Sequence, residues 1–75
     1  MLDGTKSTSN AALQPHQQRV VEEKAELDER REKLTAFYST SIFHSLPESE
    51  QSLLLRQGVA MRAYSEILGE RIASF

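Results

Sequence analysis

Four cations and one aromatic ring are the side chains of this 75-residue chain best suited to hold a charged ligand: Arg19, Lys24, Arg62, Arg71 and Tyr64. A guanidinium offers a planar fork of donors to phosphate oxygens, and a tyrosine ring can stack on a base. The same residues also have an ordinary structural use. Arg71 can pair with a carboxylate such as Glu23, Tyr64 can pack with its hydroxyl at a rim, and Lys24 can be solvated, since ion pairs are common on helices. Both uses stay open at this point. Arg30, Arg31 and Lys33 are interleaved with acids and read as a solvated face. His16 and His44 stand alone, one at a helix start and one in a turn, where histidine is more often a surface or capping residue than a ligand. With no nucleophile motif, Gly-rich phosphate loop or metal-ligand spacing, no catalytic or metal residue is assigned. The expectation is a protein that is not an enzyme and carries no cofactor.

The elements that must position these residues follow from apolar spacing. In LLLRQGVAMRAYSEILGERIASF (Leu53 to Phe75), apolar residues return every seventh position at Leu54, Met61, Leu68 and Phe75. A polar row, Gln57, Tyr64 and Arg71, runs three positions further on, along the edge of the same helical face. Pro15 suits a first helical turn, and no Gly or Pro follows until after Tyr38. One long helix over about 15–38 is therefore expected, with Val20, Leu27 and Leu34 at one heptad position, joined by Val21 and Phe37. Its charges form the i,i+4 pairs Arg19–Glu23, Lys24–Asp28, Glu26–Arg30 and Glu29–Lys33, each contributing about 0.2–0.5 kcal/mol to an isolated helix. The run STSIFHSL (Ser39 to Leu46) breaks the pattern as a turn, with Ile42 and Phe43 expected to plug the closed end of a hairpin. Pro47 then starts a second helix over about 47–75, with Glu48 and Glu50 where the positive end of the helix dipole favours acids.

The spacing predicts an all-α fold: a long antiparallel αα-hairpin over residues 15–75, preceded by a tail over 1–14. That tail is rich in Ser, Thr, Asn and Gly and reads as flexible or held by a partner. Antiparallel pairing about Phe43 sets Leu34 near Leu54, Leu27 near Met61 and Val20 near Leu68. The same register puts Tyr64 beside Glu23 and Lys24, and Arg71 toward His16 and Gln17. Each helix, about 36–42 Å long, has only one mutual seam. Leu53, Leu55, Val59, Ala60 and Ile67 spread beyond it, so a further helix from another subunit is expected, giving a helical homo-oligomer. Gly58 and Gly69, costly inside a helix by about 1 kcal/mol each, either mark close approaches of backbones or are merely tolerated on the surface.

The totals bound the rest. A chain this short hides only about 60% of the surface its unfolded form exposes, so oligomerisation is the expected remedy for a thin core. There are no cysteines, so packing rather than disulfides must hold the fold. Nine Lys and Arg stand against 11 Asp and Glu, which argues against binding DNA or RNA by bulk charge. The start, MLDGTKSTSNAAL, has no apolar signal core, and no run approaches the roughly 20 apolar residues that a bilayer requires. A soluble cytosolic protein with no membrane partner is the expectation.

Two stretches carry a family resemblance: HQQRVVEEKAELDERREKLTAFY (His16 to Tyr38) and LPESEQSLLLRQGVAMRAYSEILGERIASF (Leu46 to Phe75). They resemble the small helical-hairpin proteins of phages and prophages related to a short crAss-like phage protein. The spacing Gln57, Met61, Tyr64, Leu68, Arg71, Ile72 is the most specific part. The architecture is similar to that of phage sponges that bind nucleotide immune signals of CBASS or Thoeris defence. The resemblance implies a compact oligomer, often a hexamer, holding a cyclic oligonucleotide or a cyclic ADP-ribose type signal between subunits without cleaving it. It further implies Lys24, in EKAEL, against ligand phosphate. The chain departs from that pattern in its tail, where residues 1–14 lack the aromatic that such sponges stack on a base. The expectation is an anti-defence protein acting in the cytoplasm of the infected bacterial host, with Arg19, Lys24, Arg62 and Arg71 on phosphates and Tyr64 stacking or donating. A structural or adaptor hairpin without a small ligand is the alternative.

Overall fold

A computed structural model describes residues 13–75; the expected tail lies outside the described residues up to residue 12. Among the described residues the chain is all-helical: α1 (Pro15–Phe37), a short α2 (Ser41–Ser45) and α3 (Glu48–Ala73). The two long helices pack against each other as a hairpin. At the start of α1, Pro15 occupies the first turn, and the Gln14 backbone N–H donates to Gln17 Oε1 at 2.8 Å. At the start of α3, Glu48 and Glu50 sit in the first turn, where the exposed N–H groups favour acids.

Leu68 is fully buried, and Val20 and Leu27 pack on it with Met61 and Ile72 beside them. The heptad stripe therefore forms the seam, with one substitution of partner: Phe75 lies past the end of α3 and is 41% exposed, and Ile72 closes the open end instead. The seam is thin, since Val20, Leu27, Phe43 and Leu68 are the buried apolar side chains among the described residues.

The connection between the helices is more ordered than a turn and sets a different register. Thr40 Oγ1 donates to the Phe37 carbonyl at 2.7 Å and accepts from the Phe43 N–H at 3.2 Å, ending α1 and capping α2 with one hydroxyl. Phe43 is buried, edge-on to Phe37 and Tyr38 with ring centroids 6.0 and 5.3 Å away. Ile42, also expected to plug this end, is 64% exposed, because a one-turn helix can turn only one of two adjacent side chains inward. Gln51 Nε2 donates to the Leu46 carbonyl at 2.8 Å and fastens this corner to α3.

Because α2 lies under the first turns of α3, α3 extends past the end of α1. Tyr38 reaches Leu54, Leu34 lies by Gly58, and Lys24 and Asp28 meet Ser65. The observed pairing is displaced by about one helical turn from the one expected, in which Leu34 faced Leu54 and Tyr64 lay beside Lys24. Both helical glycines mark close approaches, but of side chains rather than backbones. The Tyr38 hydroxyl passes over Gly58 to donate to the Leu54 carbonyl at 2.8 Å, and a Cβ on Gly58 would overlap that oxygen. A Cβ on Gly69 would lie 3.3 Å from Cε of the Lys24 stem.

Candidate functional site

Helical geometry divides the expected ligand residues between two faces of the hairpin. Measured round α3 from the buried Leu68, Tyr64 and Arg71 lie about 40–60° to one side and Arg62 about 120° to the other. On α1, Arg19 falls on the Tyr64–Arg71 side by the same reckoning, and Lys24 lies close to the seam on the Arg62 side. The five residues thus do not form one cluster within a single chain.

Lys24 is engaged inside the hairpin. Its Nζ donates to Asp28 Oδ2 at 2.7 Å and to Ser65 Oγ at 3.1 Å. The Ser65 hydroxyl in turn donates to Asp28 Oδ1, which also accepts from Arg31 Nη1 at 3.0 Å. Ser65 is buried at 2% exposure with its hydroxyl satisfied, so this polar knot fixes how α1 and α3 meet at the position where the apolar stripe lapses. The Lys24 ammonium, then the Ser65 hydroxyl, then the Arg31 guanidinium hold the Asp28 carboxyl well below the usual carboxylate range. Two of the three Lys24 donors are used here, and one N–H remains for a ligand.

A carboxyl whose folded pKa is depressed contributes stability that is present above its unfolded pKa, about 3.9, and is lost as pH falls toward the folded value. The denaturation midpoint is therefore expected to fall as pH drops below about 4. In Asp28→Asn that decline should be shallower, measured by chemical denaturation at a series of pH values. Equal slopes in the two proteins would remove Asp28 from the account.

On the other face, Tyr64 is 43% exposed, and its hydroxyl has no hydrogen bond among the described residues. Arg71, in the last turn of α3, and Arg19 form no ion pair among the described residues. Arg19 Nε donates only to the Pro15 carbonyl, at 3.4 Å. Expected pairing of Arg71 with Glu23 is thus not what the hairpin contains. The displaced register also carries Arg71 a turn away from His16 and Gln17. Arg62 lies out in solvent, its Nε 3.4 Å from Glu66 Oε2. Of the four expected pairs along α1, Lys24–Asp28 and Glu29–Lys33 are closed, at 2.7 and 3.3 Å. Arg19–Glu23 and Glu26–Arg30 are not.

Sequence reasoning passed over Ser65, and it expected Asp28 only as the partner of Lys24 along α1. The available signal was Ser65 itself, a small hydroxyl residue set between Met61 and Leu68 on the buried side of α3. A polar residue in an apolar stripe asks for a partner on the facing helix, and Asp28 provides it. Arg31, read as solvated, is drawn against Asp28 three residues away.

No helix among the described residues is long and apolar enough to cross a membrane. No solved structure matches this chain. A protein of Enterobacteria phage T4, described as an uncharacterized 7.5 kDa protein in the denB-rIIB intergenic region, is 38% identical over 60 residues, which cover 80% of this chain and 94% of that protein. The family model for Sequestin matches residues 14–74, the whole hairpin from the residue before α1 to the residue after α3, and the chain belongs to the Sequestin family.

Proposed function

We propose that this protein is a phage anti-defence protein that binds a nucleotide immune signal, of the cyclic oligonucleotide or cyclic ADP-ribose type, and sequesters it without cleaving it. The observation that carries the reading is the polar row beside the seam. Among the described residues Arg19 and Arg71 have no ion-pair partner and the Tyr64 hydroxyl no hydrogen bond, and Tyr64 is 43% exposed. If that row merely fixed helix register, it would be consumed within the hairpin, as Lys24, Asp28 and Ser65 are. The family name, which speaks of sequestration, and the likeness to a phage T4 protein support the same reading.

The protein works as a homo-oligomer. Leu53 and Ile67 are each more than half exposed on α3, at 53 and 55%. An α3 that is apolar beyond its seam needs helices of neighbouring copies, and the resemblance to hairpin sponges suggests six. Packing of one copy's Arg62 face near another copy's Tyr64 and Arg71 would reunite residues that a single hairpin keeps apart. The ligand would then lie between subunits, with Arg19, Lys24, Arg62 and Arg71 meeting phosphates and Tyr64 stacking or donating. Such a protein acts by stoichiometric capture in the cytoplasm of the infected host, with no DNA, RNA or membrane partner.

Thermal unfolding of the purified protein with cyclic di- and trinucleotides and cyclic ADP-ribose isomers tests the proposal. A ligand at 100 times its Kd is expected to stabilise the fold by about 2.7 kcal/mol. Arg71→Ala should remove that shift while leaving the oligomer intact, whereas dissociation of the oligomer would make Arg71 structural. Absence of any shift across the panel would sink the sequestration reading.

A further inference from the structure

We infer that a groove between α1 and α3, lying between Arg31 and Arg62, is an anion site of this protein. It would take a phosphate group of a ligand whose attached ring covers Leu55 and Val59. The ring, though not the anion site, rests on the sequestration reading above.

The groove has a volume of about 570 Å³, within the roughly 300–1,000 Å³ usual for small-molecule sites. One guanidinium comes from each helix, and no carboxylate residue lines it. Asp28 and Glu66 stand 3.0 and 3.4 Å from these guanidinium groups, so the concavity is rich in hydrogen-bond donors rather than in net charge. Gly58 and Tyr38 line the same groove, the Tyr38 hydroxyl lying over Gly58 where it donates to the Leu54 carbonyl.

The two arginines are prepared differently. Arg31 is half-buried, and its Nη1 is fixed by Asp28 at 3.0 Å. One edge of its planar fork is therefore set in place while its remaining N–H groups stay available. Arg62 leans on Glu66 at 3.4 Å with both side chains well exposed, 72 and 63%. Such a surface pair contributes little and yields readily to a stronger acceptor. Leu55 and Val59, 49 and 71% exposed, form an apolar wall beside these donors. The combination of donors for a phosphate oxyanion and an exposed apolar wall matches a nucleotide phosphate with its base attached through the sugar.

Inorganic pyrophosphate and cyclic di-AMP serve as probes, titrated separately into the full chain with the arginine Nε–Hε signals and the Gly58 amide followed by NMR. Pyrophosphate is expected to shift the Arg31, Arg62 and Gly58 signals together, and Arg62→Gln should weaken its apparent affinity at least tenfold. Lys33→Gln, which removes an outward-facing cation paired with Glu29, should leave affinity within twofold. Groove signals that stay still, or equal losses in Arg62→Gln and Lys33→Gln, overturn the proposal. Cyclic di-AMP is expected to shift the Leu55 and Val59 methyl signals as well. If it binds and moves only Arg19, Tyr64 and Arg71, the groove is refuted while sequestration stands. If pyrophosphate moves the groove but none of the nucleotides in the thermal panel binds, the anion site stands and sequestration falls.

Discussion

Replacing Leu68 with alanine is expected to lower stability by about 2–5 kcal/mol, the range for removing a buried leucine from a packed site. Leu68 is fully buried, and Val20 and Leu27 converge on it from the other helix. With so few buried apolar residues, neighbouring side chains have little reserve to refill the space. Stability of a whole small domain is about 5–15 kcal/mol, so this one change removes a large share of it. Denaturant unfolding followed by circular dichroism reads the loss directly. The control is Ile67→Ala one residue earlier, on the exposed side at 55%. Within a single hairpin it should cost far less than Leu68→Ala, and a large cost for Ile67→Ala that depends on protein concentration would locate that side chain in a subunit interface.

The second prediction is a reversal of sign. Gly58→Ala gains about 1 kcal/mol of helix propensity, yet its new methyl group would displace the Tyr38 hydroxyl from the Leu54 carbonyl. Tyr38 cannot simply swing aside, because its ring packs edge-on against buried Phe43. Loss of a hydrogen bond, about 0.5–1.5 kcal/mol, together with off-rotamer strain of about 0.5–1.5 kcal/mol, outweighs the gain. Gly58→Ala alone should therefore destabilise. In a Tyr38→Phe background the clashing oxygen is gone, the remaining contact with Tyr38 Cζ at 3.4 Å is ordinary, and the same substitution should stabilise. The double-mutant cycle isolates the pair. Additive effects, with Gly58→Ala stabilising in both backgrounds, would show that the tyrosine yields freely.

Much of this fold is legible in the sequence because a hairpin is written in short-range terms. Pro15 and Pro47 mark two starts, the heptad stripe selects Val20, Leu27, Met61 and Leu68, and the STSIFHSL run marks the break. The register was not legible. It depends on the fold of the connection, where Thr40 caps a short helix and Phe43 alone turns inward, and on one long-range bond from Tyr38 to Leu54. A displacement of one turn preserves the apolar pattern, since seven-residue stripes slide past each other with little penalty, but it moves every polar neighbour.

The candidate site suffered more from that uncertainty than the core did. Lys24 is legible as a cation but not as a member of a half-buried knot, because Ser65 is 41 positions away and only the register brings the two together. Arg31 looked like one of several solvated charges, and its place at the rim of a groove depends on α3 presenting Gly58 opposite it. Arg62 and Tyr64 are close in sequence, yet the turn of the helix sends them to different faces. The two long helices and their apolar seam follow from spacing along the chain, whereas the side chains that face one another depend on the register.

Native mass spectrometry of the purified protein, alone and with the cyclic nucleotide panel, tests the central claim most directly. The expected spectrum shows an assembly of several chains that gains the mass of intact ligand, and heating should return that ligand chemically unchanged on chromatography. A single chain that gains no ligand mass, or recovery of a cleaved product in place of the ligand, would contradict sequestration.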